Sequence, residues 1–264
     1  MRIALIGGGI MGEAIMRALL RREPHPEIVV AEKRAERAAQ LVSDLGIAVA
    51  DARDAVVGAD VVILAVKPQD IRAVLDDIGA DIAAGTLVLS IAAGIPTSVI
   101  TQQVSAGVDV VRAMPNTPAR IDMGVTGISA AVGCTPAGRD LARDLLGSIG
   151  IVVEVPEQLQ DSVTAVSGSG PAYLFLLAES MLASAIELGL DPAMADVMVR
   201  QTLLGAAQLL ATSPDGPDVL RQNVTSPNGT TAAALTTMGA HGVSAGIVAG
   251  MAAARARSRE LAES

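Results

Sequence analysis

The stretch Arg2-Ile-Ala-Leu-Ile-Gly-Gly-Gly-Ile-Met-Gly-Glu13 decides the fold. A short strand-prone run enters a G-x-G-x-x-G spacing at Gly7, Gly9 and Gly12. Apolar residues then recur at helical spacing, at Ile15, Met16, Leu19 and Leu20. Each glycine has a physical job in a strand–turn–helix unit. Gly7 permits the tight turn, Gly9 lets the backbone approach a pyrophosphate, and Gly12 lets helix and strand pack closely. The helix start offers free N–H groups and the positive end of its dipole to phosphates. The spacing therefore predicts a dinucleotide site on a Rossmann-type sheet.

The next strand, Glu27 to Ala31, ends at Glu32, which lies 20 residues past Gly12. An acid at that distance ordinarily bonds the ribose hydroxyls of NAD. Lys33 and Arg34 follow at once, and an arginine fork suits the 2′-phosphate of NADP. The two signals conflict, and an ordinary solvated loop is the third reading. Alternation continues with a helix from Arg34 to Leu45 stopped by Gly46, and a strand from Ala59 to Val66 broken by Lys67-Pro68. A helix from Gln69 to Ile78, a strand from Leu87 to Ile91 and a shorter one from Val108 to Val111 come next. Ligands of open parallel sheets bind beyond the carboxyl ends of the strands. Those ends are Gly7–Gly12, Glu32–Arg34, Val66–Pro68, Ala92–Gly94 and Met114–Pro118.

After about Pro156 strand signals vanish, so residues 1–157 read as an α/β dinucleotide-binding domain and 158–264 as an all-α domain. Helices are expected from Pro171 to Gly189, from Asp191-Pro192 to about Ala211, from Ala232, and at the C-terminus, where Gly242, Gly246 and Gly250 recur every four residues. A helical half rich in Ala, Leu and Met, with little polar surface, points to burial by a second copy, hence a homo-oligomer.

Composition narrows the function. The 264 residues carry a formal charge of −9 with no basic cluster, which speaks against nucleic acid and anionic membrane surfaces. The first apolar run, Ile3 to Ile6, is far shorter than the apolar core of a leader, so a cytoplasmic location is expected. Gln222 to Ala254 is uncharged, but its most helical part, Val243 to Ala254, is too short for the roughly 20 apolar residues of a membrane span. The single cysteine, Cys134, allows no internal disulfide and reads as structural. No ligand spacing for a metal and no nucleophile elbow is present.

Acid–base groups are scarce. His25 lies between two prolines and His241 beside a glycine, and neither reads as catalytic. Chemistry needing little help of that kind, such as hydride transfer to an already protonated imine, fits best. The best anchor for a substrate is Ser226-Pro-Asn-Gly-Thr-Thr231. Its backbone N–H groups at a helix start hold a carboxylate, or its hydroxyls merely cap the helix.

Three segments then carry a resemblance: Arg112-Ala-Met-Pro-Asn-Thr-Pro118, Ala165-Val-Ser-Gly-Ser-Gly-Pro-Ala-Tyr173 and Val224-Thr-Ser-Pro-Asn-Gly-Thr-Thr-Ala-Ala-Ala-Leu235. With the glycine loop and Ala65-Val-Lys-Pro68, in the same order, the whole chain closely resembles pyrroline-5-carboxylate reductases. The resemblance implies reduction of the cyclic imine of pyrroline-5-carboxylate to L-proline, the last step of proline biosynthesis. It implies NADP(H) as the preferred cofactor with NAD(H) possible. It also implies a Rossmann domain followed by a helical substrate-binding domain that dimerises, with decamers of five dimers in some members.

By motif position Ile6, Gly7, Gly8, Gly9, Ile10 and Met11 would wrap the pyrophosphate. Ala65, Val66, Lys67 and Pro68, with Ile91, Ala92 and Ala93, would line the ribose and nicotinamide side, and Asn223 would touch the cofactor. Ser226, Gly229 and Thr230 would hold the substrate carboxylate. Thr231 would hydrogen-bond the ring nitrogen and relay its proton, and Glu157 would sit near the substrate. Two departures stand out. Asn228 replaces a common glycine, and asparagine tolerates positive φ better than most residues. The segment from Thr236 to Val243 is uncharged where the family carries charges. The alternatives are a reductase of another cyclic imine and a dinucleotide sensor without turnover. β-Hydroxyacid dehydrogenases share the architecture but use a lysine in the helical half, and no lysine follows Lys67.

Overall fold

The computed structural model describes residues 1–263, with side chains through 260. The chain forms two compact units, Met1–Ser169 together with the chain from Ala253 onward, and Gly170–Ala252.

The first unit is built on an eight-stranded sheet in the order β3-β2-β1-β4-β5-β6-β7-β8. Its strands are β1 Arg2–Ile6, β2 Glu27–Ala31, β3 Ala48–Val49, β4 Val61–Leu64, β5 Leu87–Ser90, β6 Asp109–Met114, β7 Gly124–Ala130 and β8 Gly150–Glu154. All pairs are parallel except β6 with β7. The sequence reaches β1, β2, β3 on one side and then β4 on the other, which opens a crevice beyond the ends of β1 and β4. Helices α1 Ile10–Leu20, α2 Ala35–Leu45 and α6 Pro136–Gly147 cover one face, and α3 Ala52–Val56 and α4 Ile71–Ile78 the other. Strand alternation feeds both cores. Ile3 and Leu5 join Met16, Leu19 and Leu41, whereas Ala4 and Ile6 join Ile71, Leu75 and Ile78. Burial on both faces explains why the strands read as continuous apolar runs.

The spacing gives no sign of several short elements or of β7, α6 and β8, and it ends β6 three residues early. β7 reads poorly because Gly127 interrupts it. A Cβ there would meet Val163 Cγ1 at 2.7 Å, so the glycine lets the short helix α7, Gln160–Val163, lie on the sheet. Residues 157–169 thus pack with the sheet, which is why the compact unit extends to Ser169. Between α7 and Gly170 the chain makes a π-turn, Thr164–Gly168, closed by Ser169 N–H to the Thr164 carbonyl at 2.8 Å. Gly168 faces Met114 at the end of β6, where a Cβ would lie 2.6 Å from Met114 Cε. Two of the motif segments therefore meet in this unit.

The second unit holds α8 Gly170–Glu187, α9 Pro192–Thr212, α10 Pro217–Asn223, α11 Thr230–Ala240 and the start of α12 Val243–Glu263. Asp191 caps α9 by accepting from Ala193 N–H, and Pro192 takes the first position. The expected three-glycine helical face is corrected here. Gly242 adopts φ +73° and breaks α11 from α12, so only Gly246 and Gly250 share a helix.

Of residues 170–252 only Ala195 and Val199 are buried. Leu176 is 64% exposed, Leu204 62% and Val248 70%. The helical stretch from Glu157 to Glu187 and the bent pair α11–α12 are apolar enough by length and composition to cross a membrane. A helix pack this apolar and this bare in a single chain calls for cover, because exposed apolar patches of that size mark interaction surfaces. Light scattering at micromolar concentration should return a mass of at least twice 26.7 kDa. A mass of one subunit would contradict self-association.

Candidate functional site

The crevice beyond β1, β2 and β4 is a cleft of about 1300 Å³. Ile6, Gly7, Gly9, Ile10, Glu32, Lys33, Arg34, Ala65, Val66 and Lys67 all line it, so the structure brings most of the expected cofactor residues together. Each glycine meets a separate constraint. Gly7 has φ +104°, and a Cβ there would sit 2.8 Å from the Ala65 carbonyl oxygen. A Cβ on Gly12 would sit 2.5 Å from the Gly7 carbonyl oxygen and 3.1 Å from Leu5 Cδ2. A Cβ on Gly9 would meet nothing within 4 Å. The glycine that must leave room for a ligand is thus the one with open space before it.

Gly9 caps α1 without any side-chain hydrogen bond, and the first helical bond runs from Glu13 N–H to the Gly9 carbonyl. The N–H groups of Ile10, Met11 and Gly12 are therefore left for an anion. This donor set, with the open space at Gly9, fits a dinucleotide pyrophosphate. Gly8, Met11 and Gly12 shape the loop from behind. Pro68 opens a short 3₁₀ turn, Pro68–Asp70. Ile91, Ala92 and Ala93 follow β5 and do not line the cleft. They lie at the neighbouring strand end, where Ile91 N–H donates to the Leu64 carbonyl at 3.0 Å.

The cleft holds acids as well as bases, and the two best placed acids are paired. Glu32 takes a bidentate Arg34 fork at 3.0 and 3.2 Å, and this hydrogen-bonded pair holds its carboxyl below the ordinary range. Glu13, in the first turn of α1, bonds Arg37 and Arg17, and the Arg37 bond leads in lowering its pKa. Both stay ionised at neutral pH. Their pairing stabilises the fold above the ordinary carboxylate range and is lost as pH falls through their lowered values. Arg37 was not singled out in the sequence, because a cation in mid-helix carries no motif.

A second group of residues lies beyond β6. The Glu157 carboxylate accepts from Thr97 N–H at 2.6 Å and from Thr97 Oγ1 at 2.8 Å. It thereby caps α5, Thr97–Thr101. Buried Arg112 lies 3.9 Å from Glu157 and 3.7 Å from Asp161. Desolvation lowers the Arg112 pKa, and the two carboxylates oppose that. Asp161 also accepts from Ser258 Oγ at 2.8 Å. The Arg112 motif thus anchors residues 157–161 and the end of the chain to the sheet, a role the spacing alone does not show. Burial and the nearby Asp109 raise the Cys134 thiol to about 11, so it is protonated at neutral pH. Among the described residues no group of three or more His, Cys, Asp or Glu could hold a metal ion.

Asn223, Ser226, Gly229, Thr230 and Thr231 belong to the second unit. Asn223 ends α10, and a turn closed by Gly229 N–H to the Ser226 carbonyl at 3.1 Å leads into α11. Asn228 adopts φ +57°, the left-handed conformation that its family position implies. A Cβ on Gly229 would sit 2.5 Å from Ser226 Oγ, so only glycine lets that hydroxyl lie across the helix start. Gly229 caps α11 with no side-chain bond. Among the described residues the hydroxyls of Ser226, Thr230 and Thr231 have no partner, whereas Thr236 and Thr237 bond back to carbonyls four residues earlier. The helix start therefore presents open N–H groups beside three open hydroxyls, a donor-rich cradle for a carboxylate.

The chain is similar to known proteins along its whole length. Residues 157–261 match the family model described as pyrroline-5-carboxylate reductase dimerisation, and residues 2–94 match that of NADP oxidoreductase, coenzyme F420-dependent. The pyrroline-5-carboxylate reductase of Pseudomonas aeruginosa is 40% identical over 99% of this chain and 97% of its own. The solved structure of a pyrroline-5-carboxylate reductase from Coxiella burnetii is 33% identical, with a TM-score of 0.88 over 100% of this chain and 99% of its own. That from Streptococcus pyogenes is 28% identical, with a TM-score of 0.91 over 98% of each chain. On its own sequence, from the glycine loop to the cradle at Ser226–Thr231, the chain belongs to the pyrroline-5-carboxylate reductase family.

Proposed function

We propose that the chain reduces 1-pyrroline-5-carboxylate to L-proline with NADPH as preferred cofactor and NADH as a possible substitute. The observation that carries this reading is the pairing of a pyrophosphate-type glycine loop with the open donor cradle at Ser226–Thr231, in a chain of this family. When bound, the reduced nicotinamide supplies the hydride. The chain's own residues bind and orient. N–H groups of Ile10, Met11 and Gly12 hold the pyrophosphate. Ala65–Pro68 flank the ribose, Ile91–Ala93 stand at the neighbouring strand end outside the cleft on the nicotinamide side, and Asn223 adds a polar contact. Ser226, Gly229 and Thr230 hold the substrate carboxylate. The Thr231 hydroxyl accepts a hydrogen bond from the protonated ring nitrogen and orients it, and that proton stays on the nitrogen of the proline formed. Glu157, which holds Thr97, is assigned to the surroundings of the substrate by its motif position alone. No strong general acid is needed, because the protonated imine is already electrophilic.

Functionally the chain divides at 157/158 into a cofactor-binding part and a substrate-binding, dimerising part. The assembly is a homodimer, or a decamer of five such dimers, in the cytoplasm, free of nucleic acid and membrane. Growth of a proline auxotroph lacking this reductase activity tests the reading in cells. The wild-type chain should restore growth without proline, and failure to do so despite folded expression would contradict it.

Arg34 should set the choice of cofactor. Its fork uses two N–H groups on Glu32, and an arginine has five, so three remain for a phosphate. Arg34→Ala should raise KM for NADPH by about tenfold and leave KM for NADH within about twofold, as loss of one charged contact predicts. Equal changes would show that Arg34 does not read the 2′-phosphate.

A further inference from the structure

Glu32 stands where an acid ordinarily bonds the ribose of NAD, yet its carboxylate is already full. A carboxylate has about four acceptor sites. Oε1 accepts from Arg34 N–H at 3.0 Å and from Arg34 Nε at 3.0 Å. Oε2 accepts from Gly8 N–H at 3.0 Å and from Arg34 Nη2 at 3.2 Å. The side chain is only 7% exposed.

The other side of the same glycine is held too. Arg37 Nε donates to the Gly8 carbonyl at 2.8 Å, while its guanidinium also bonds Glu13 and, at 2.8 Å, Gln40. Leu41 packs where a Gly8 side chain would be. The N–H and the carbonyl of Gly8 are thus pinned by opposite charges, one at the end of β2 and one on α2.

We propose that Glu32 and Arg37 form a charged clamp on Gly8 that fixes the glycine loop for the dinucleotide, and that Glu32 is a positioning residue rather than a ribose ligand. The proposal rests on the reading of this cleft as the dinucleotide site. It separates two roles that the position of Glu32 alone runs together. The clamp serves whatever NADH and NADPH share, and Arg34, oriented by Glu32 with three side-chain donors unspent, serves the 2′-phosphate. An acid spent in this way does not select NADH, and charge-paired with Arg34 it does not repel NADPH.

The test is calorimetric titration of full-length wild type, Glu32→Gln and Arg37→Met with NADH and with NADPH, together with amide hydrogen exchange at Gly8 in the free proteins. The clamp predicts that Arg37→Met weakens both cofactors by the same factor, about tenfold for one charge-assisted bond. It predicts that Glu32→Gln weakens NADPH at least as much as NADH. It also predicts faster Gly8 exchange in Glu32→Gln while exchange in the core strands is unchanged, which a general loss of stability would not produce. A Glu32→Gln variant that loses NADH selectively, or binds NADPH more tightly, would show Glu32 to be a ribose ligand and overturn the proposal. Unchanged Gly8 exchange would overturn it as well. Wild type that binds neither dinucleotide would bring down the reading of the cleft and the clamp together, so the two failures are distinguishable.

Discussion

Gly12→Val is expected to weaken NADPH and NADH alike, by about 10- to 100-fold, taking about 1–3 kcal/mol for overpacking and 1.4 kcal/mol per tenfold. The Cβ alone would lie 2.5 Å from the Gly7 carbonyl oxygen, and that neighbour is backbone, not the end of a flexible side chain. Leu5 Cδ2 at 3.1 Å blocks retreat toward the core. The strain can be relieved only by moving the glycine loop, and a displaced loop no longer aims the N–H groups of α1 at the pyrophosphate. Because Gly12 faces the chain and not the ligand, the loss should not depend on the 2′-phosphate. Titration with both cofactors checks this. A variant that binds both normally would show that the loop tolerates the shift.

Thr231→Ala is expected to lower kcat by about 10- to 100-fold with a smaller change in KM, if its hydrogen bond to the ring nitrogen strengthens in the transition state. The structure sharpens this expectation. The sequence allowed Thr231 to be an ordinary helix cap, but the cap of α11 is Gly229 and no hydroxyl takes part. Loss of a cap would cost about 1 kcal/mol of stability. Loss of a substrate contact leaves stability alone and falls on turnover. Steady-state kinetics and thermal melting together decide. An unchanged kcat with a lowered Tm would return Thr231 to a structural role.

Much of this was legible in the chain. The glycine spacing, read with the strand before it and the helix after it, identified the fold and pointed to a phosphate site, because Gly7 and Gly12 answer steric demands of the chain and Gly9 leaves open space. Asn228 was readable for the same reason. What escaped the reading has a common physical cause. β7 is interrupted by Gly127, whose purpose lies in Val163 on a distant element. Arg37 and Arg112 look like surface cations until folding places Gly8 beside one and Glu157 and Asp161 beside the other. Glu32 was seen in its right place but with its bonding capacity uncounted. Long-range partners, not local pattern, define these roles. The Gly242 break escaped for another reason, since a four-residue spacing of glycines fits both a helix face and a helix end.

The most direct measurement is the decay of reduced-nicotinamide absorbance when purified protein is mixed with 1-pyrroline-5-carboxylate and either NADPH or NADH. Decay that requires the imine, forms proline in equal amount and shows the higher kcat/KM with NADPH is the expected result. Protein that binds dinucleotide yet shows no imine-dependent decay with either cofactor would contradict the account and move the assignment to another cyclic imine or to a sensor without turnover.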